Sequence, residues 1–249
     1  KVNASYLGET YDAEWILDCS RSISNAAFYI STMTSSGTVA VEGSPSGDDL
    51  WTLNSAIRNV ASGVKVTLDL SGTNLTELCD TAHNEAEPKS FLNCKNLVGI
   101  ILPNTLTKIG DCSFRWSGIT SIDIPSSVTT IGYCAFFQSK LTSITIPDTV
   151  TEIKANCNFY KITSLKTAVL NCKANIPDNC FNDCSGLTTV TISSNVKQIG
   201  EECFKGCSKL TTINYTGTKA QWNALTKKTD WNNSVPATVV HCSDGNVAL

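Results

Sequence analysis

The sequence predicts a solenoid: coils stacked side by side, a parallel β-sheet along one face, short irregular and strand segments along the other, and non-repeating caps at both ends. Three observations predict it. Phenylalanine returns at Phe91, Phe114, Phe136, Phe159, Phe181 and Phe204, a period of about 23 residues. Each is followed five or six residues later by an aliphatic residue, namely Leu97, Ile119, Leu141, Leu165, Leu187 or Leu210. A strand-like alternation then follows, as in Leu141-Thr-Ser-Ile144-Thr-Ile146-Pro147, with an apolar pair three apart, Val150 and Ile153, before the next Phe. A unit of that length cannot bury its apolar face alone, so it must stack on its neighbours.

The chain divides into residues 1–63, a capping domain with one helix; 64–90, a degenerate first repeat with a loop insertion; 91–214, the repeat array; and 215–249, a C-terminal cap. In the first segment Thr38–Gly43 reads as a short strand into a turn. Ser46 or Asp48 can cap a helix carrying Leu50, Leu53, Ile57 and Val60 on one face, with Gly63 placed to end it. That helix is expected to close the open end of the stack, since a bare coil and an unpaired sheet edge both need a cover.

Val66, Leu68 and Leu70, then Leu75 and Leu78, repeat the strand and the spaced apolar pair, and make the first turn of the array. His83 falls where Phe is due, and Asn84–Ser90 is a polar insertion expected at the surface. Within the array, Pro103, Pro125 and Pro147 end strands by withholding a donor. The coils from Phe114 and Phe136 lose one residue before their aliphatic anchor and carry Ser117 and Ser139 where others have Cys. The coil from Phe159 lacks the proline and has Ile162 at the Cys slot, so irregular curvature is expected there.

Repeats reading Phe-x-x-Cys-x-x-Leu-x-x-Ile-x-Ile-Pro-x-x-Val-x-x-Ile-Gly resemble the BspA-like leucine-rich repeats of bacterial and protozoan surface proteins, over roughly residues 64–249. The tail, Tyr215-Thr-Gly217-Thr-Lys-Ala-Gln-Trp222 with Trp231 and His241-Cys-Ser-Asp244-Gly245, resembles the C-terminal cap that follows such arrays. The resemblance implies a right-handed leucine-rich repeat solenoid with a concave parallel sheet and short 3-10 and strand segments on the convex face. It also implies an extracellular or cell-surface location and adhesion to matrix or plasma proteins such as fibronectin and fibrinogen.

A net charge of −3 gives no basic footprint, which excludes nucleic acid and anionic membranes as expected partners. No apolar run approaches the roughly 18 residues of a membrane-spanning helix, so no membrane insertion is expected. No signal sequence is seen, and a monomer is expected. The cysteines share repeat slots: Cys94, Cys184 and Cys207 lie three after Phe, and Cys112, Cys134, Cys157, Cys180 and Cys203 lie one or two before it. Equivalent slots lie about 4.8 Å apart, and such thiols read as small buried core residues. The pairs Cys180/Cys184 and Cys203/Cys207 have a spacing zinc accepts, but each straddles a structural Phe, so no metal or cofactor is expected. One disulfide among Cys19, Cys79 and Cys242 remains open.

His83 and His241 lie in no nucleophile or metal motif, and Asp48-Asp49 and Glu201-Glu202 read as solvated turns, so no catalytic residue is assigned. Two surfaces are candidates for binding. Outward strand positions, including Ser121, Asp123, Ser143, Thr145, Thr167, Thr189 and Thr191, make a flat Ser/Thr face about six strands wide, roughly 25–30 Å across. Trp116, Phe137 and Tyr160 occupy adjacent slots in three successive coils and form an aromatic strip. Thr is favoured on any half-exposed strand, and packing between irregular coils explains the aromatics equally well. A protein partner is the first expectation; a glycan, or a structural role at the cell surface, is the alternative.

Overall fold

The computed structural model describes residues 5–6, 9–10, 22–80 and 89–249. Its spine is the phenylalanine column. The rings of Phe91, Phe114, Phe136, Phe159, Phe181 and Phe204 are fully buried. Consecutive centroids lie 5.9, 5.4, 5.1, 4.9 and 5.4 Å apart, with planes within 11° of parallel. That is the offset-stacked range, and it matches one coil per ring. Trp231 prolongs the column, meeting Phe204 edge-on at 6.2 Å.

Ahead of the column, β1 (Ser5–Tyr6) and β2 (Glu9–Thr10) form an antiparallel pair. Helix α1 (Ile23–Ser31) buries Ala26, Ala27 and Ile30. It was not legible in the sequence, where Ser24, Asn25 and Ser31 interrupt any long apolar stripe, so the segment holds two helices and not one. Strand β3 (Gly37–Gly43) runs parallel to β4 (Val66–Thr73), and α2 (Gly47–Arg58) is the crossover between them. This helix therefore sits within the stack and does not close its end; β3 is the edge strand, and α1 packs on α2 and β3.

Ser46 caps α2 in a reciprocal box, with Asp49 Oδ2 accepting from Ser46 N at 2.8 Å. The adjacent acidic pair Asp48-Asp49 is thus a helix start. The helix ends at its cap Asn59, four residues before Gly63, whose φ of +85° serves the turn into β4. Asn54, buried on α2, donates to the carbonyls of Ser90 and Leu92. Ser90 is consequently buried and not part of a surface loop. His83 and residues 84–88 of the insertion lie outside the described residues.

The strand face forms two ladders. The first runs β3, β4, β6 (Leu97–Ile101), β8 (Ser121–Ile122), with the two-residue strands β5 (Glu77–Leu78) and β7 (Lys108–Ile109) on the other side of the coils. The second runs from β10 (Ser143–Ile146) through β12 (Thr167–Leu170), β13 (Thr189–Ile192) and β15 (Thr212–Tyr215) to the antiparallel pair β17 (Val239–Cys242) and β18 (Gly245–Ala248). On the opposite side, β5, β7, β9 (Thr130–Ile131) and β11 (Glu152–Ile153) form a narrow parallel sheet. It stops at the coil from Phe159 and resumes through the Ile176–Ile199 bridge and the pairing of β14 (Gln198–Ile199) with β16 (Thr226–Lys227), beyond the short helix α3 (Lys219–Ala224). The proline-free coil is thus irregular on this side alone, while β12 keeps its register with both neighbours.

Two left-handed backbone positions, two residues before and two after Phe, recur in the five coils from Phe114 to Phe204, and the coil of Phe91 has the second alone, at Asn93. Examples are Cys134 (φ 49°) and Gln138 (φ 51°) around Phe136, and Asn179 (φ 57°) and Asp183 (φ 58°) around Phe181. Non-glycine residues enter this region at a cost of about 1 kcal/mol or more. The cost is offset because the N–H after the turn reaches the next coil: Trp116 N donates to Phe137 O at 2.9 Å, Gln138 N to Tyr160 O at 3.0 Å, and Lys161 N to Asn182 O at 2.9 Å.

All described cysteines are free thiols, Cys79 and Cys242 among them, and Cys19 lies outside the described residues. The slot before Phe splits in two. Cys180 and Cys203, one residue before, lie in the main core, whereas Cys112 and Cys134, two residues before, form a separate apolar cluster with Leu92. Alternate backbone positions point to opposite sides of the turn, which the sequence slot had merged. Burial pushes the Cys94 and Cys207 thiols up to about 12 and holds them protonated. Their slot has a polar purpose as well: Cys184 Sγ donates to Phe159 O at 2.9 Å and Cys207 Sγ to Phe181 O at 3.2 Å. Ser117 and Ser139 occupy it with buried hydroxyls that find no partner.

Phe159→Ala removes a ring stacked on both sides, and is expected to destabilise the fold by about 3–5 kcal/mol, read as a lower urea midpoint. Ser139→Cys should do the reverse. Replacing an unsatisfied buried hydroxyl by a thiol of the kind neighbouring coils use is expected to stabilise by about 1 kcal/mol, measured as a higher melting temperature.

Candidate interaction surfaces

The alternation of each strand sends aliphatic side chains inward and leaves Ser and Thr outside. In β10, Ile144 and Ile146 are buried and Ser143 and Thr145 exposed. Register then aligns the outward residues into rows. One row is Ser143, Thr167, Thr189 and Thr212; the next is Thr145, Val169, Thr191, Asn214 and His241. Thr189 and Thr191 are half-buried between their neighbours, whereas Thr167 is exposed.

Ser121 and Asp123 are exposed but belong to the first ladder, whose row reads Thr38, Thr67, Gly99 and Ser121. Between the ladders Thr142 bridges just before the strands, its N donating to Thr120 O at 3.0 Å and its hydroxyl to the same oxygen at 3.2 Å. The face is therefore longer than the repeat array predicts and is divided in two. The signal that extends it was present in the alternation of Val39, Val41 and of Val66, Leu68, Leu70, which bury the opposite side of the same strands.

The aromatic strip is a contiguous structure. Trp116 meets Phe137 edge-on at 6.2 Å, and Phe137 stacks on Tyr160 at 5.3 Å. All three are half-buried, and Trp116 and Phe137 rest on the cluster of Leu92, Cys112 and Cys134. Arg115, which the sequence reading passed over, joins them: its guanidinium carbon lies 4.0 Å from the Trp116 ring centre and 5.0 Å from that of Phe137. Lys161 Nζ lies 5.0 Å from the centre of Tyr160. The pairing of cation and ring is favourable by about 0.5–1 kcal/mol at such exposure. Burial raises the Cys112 thiol, with the Arg115 charge partly opposing the shift.

Beside the strip lies an open groove of about 470 Å³, lined by Gln138, Lys140, Lys161, Thr163, Asp183 and Ser185. These are the second and fourth residues after Phe in three successive coils, so the groove is a product of the repeat.

Elsewhere the polar groups serve the fold. His241 Nδ1 pairs with Asn246 Oδ1 at 3.0 Å. Glu202 holds Lys205 at 2.7 Å. Trp222 and Trp231 are buried in the tail. Among the described residues no three His, Cys, Asp or Glu side chains are grouped to hold a metal ion, and no helix is long and apolar enough to cross a membrane.

Two solved structures share the architecture. A leucine-rich repeat protein from Bacteroides ovatus is 27% identical, with a TM-score of 0.53 over 70% of this chain and 40% of that one. This chain thus spans less than half the length of that protein. The T. pallidum leucine rich repeat protein is 21% identical, with a TM-score of 0.51 over 70% of this chain and 77% of its own. No curated protein sequence matches the chain. Six copies of the BspA type leucine rich repeat match residues 84–211, and they place this chain in that family.

Proposed function

We propose that the chain is a non-catalytic recognition module, secreted or held at a cell surface, that binds a protein such as an extracellular matrix or plasma component, with fibronectin and fibrinogen as the first candidates. The observation that carries this reading is the outward sheet face. Its rows of short hydroxyl and amide side chains, Ser143 to Thr212 and Thr145 to His241, give a broad surface with little side-chain entropy to lose on docking. Proteins of the leucine-rich repeat family commonly bind proteins, which supports the same reading. The state of the aromatic rings weighs against a glycan module, since Arg115, Tyr160 and Lys161 already occupy ring faces that a sugar would stack on.

Binding of the purified chain to immobilised fibronectin and fibrinogen tests the proposal. Thr145 on β10 and Thr189 on β13 lie on the face with β12 between them, and the double variant Thr145→Lys, Thr189→Lys places two charges there without touching the core. It is expected to weaken saturable binding at least about tenfold, an effect of about 1.4 kcal/mol, while the melting temperature holds. Undiminished binding by the folded double variant would remove the sheet face as the site.

A further inference from the structure

We infer that the aromatic strip and its flanking groove form a second binding surface, selective for an acidic segment of a protein partner. The inference goes beyond the recognition reading and is independent of whether the sheet face docks anything. It starts from the charge of the turns. In the first, second and fourth positions after each Phe, the six coils place Lys95, Arg115, Lys140, Lys161 and Lys205 against a single carboxylate, Asp183. The chain as a whole carries −3, so this ridge runs against the sign of the molecule.

Part of the charge is satisfied internally. Lys205 pairs with Glu202, and Lys161 reaches Asp183 at 3.9 Å. Lys95, Arg115 and Lys140 make no ion pair among the described residues. Arg115 is half-buried, and its planar guanidinium fork is the cationic group that best matches a carboxylate.

The aromatic rings hold the guanidinium in place. Phe137 has Arg115 on the side of the preceding coil and Tyr160 stacked on the side of the following one. Trp116 has Arg115 over one face. The cations and the neighbouring ring thus engage electron-rich ring faces. The half-buried guanidinium and the exposed Lys140 ammonium therefore give the strip and its groove a cationic margin. Gln138, Thr163 and Ser185 in the groove add neutral donors. Trp, Tyr and Arg are also the residue types that dominate protein interfaces, which favours an acidic peptide over an anionic sugar chain as occupant.

The test uses the full chain and a fluorescent peptide of alternating glutamate and glycine, with a glutamine counterpart of the same length and a sulfated oligosaccharide as a separate arm. The glutamate peptide is expected to bind, with affinity falling as salt rises, and the glutamine peptide not to. Lys140→Glu, at an exposed position, should weaken binding about tenfold by reversing a rim charge. Arg115→Gln should weaken it comparably, and Lys197→Glu, the same charge change beside β14, should leave it unchanged. Equal binding of the two peptides overturns the proposal, as does equal weakening by Lys140→Glu and Lys197→Glu. Binding of the sulfated oligosaccharide alone overturns it in favour of an anionic glycan.

Discussion

The stacking of one buried phenylalanine on the next is the constraint on which the rest of the molecule depends. A ring column with centroids 4.9–5.9 Å apart fixes the rise of one coil on another. That rise is close to the spacing at which parallel strands hydrogen-bond, about 4.8 Å. Rings and strands can therefore be satisfied together, and the aliphatic residues after each Phe need only alternate to fill the space between. Each coil contributes a large apolar side chain that no single coil could bury.

The same turn that delivers the ring to the core delivers side chains to the surface. Left-handed positions on either side of Phe bring the N–H groups of Trp116, Gln138 and Lys161 onto the carbonyls of the next coil. Their side chains are thereby held in line along the solenoid. The aromatic strip, the groove beside it and the satellite cluster of Leu92, Cys112 and Cys134 are consequences of one backbone conformation repeated in register. The order of the surface comes from the order of the core.

The repeating part of this architecture was readable from residues because the Phe, the aliphatic anchor and the alternating strand recur in a fixed order, and repetition cancels local noise. What lay outside the repeat was less readable. Helix α1 has only a narrow apolar stripe, and α2 was visible as a helix but not as the crossover between two parallel strands, since pairing of β3 with β4 is a contact across chain and leaves no local mark. The split between Cys134 and Cys180 turns on one residue of phase around Phe. Trp116, Phe137 and Tyr160 were found as a strip, whereas Arg115 was missed. A lone cation in sequence shows its role only when the rings it lies over are placed.

The interruptions in the two sheets do not coincide. The strand face breaks between β8 and β10, next to the coils of Phe114 and Phe136, while the narrow sheet opposite breaks about one coil later, after β11. The ring column passes through both places without a gap. No plane drawn across the solenoid cuts all three supports, so a coil that loses its ladder on one side is still clamped on the other. A linear array, which would otherwise be free to fray or snap at its weakest joint, is in this way spliced like overlapping planks, and the two halves are obliged to melt as one.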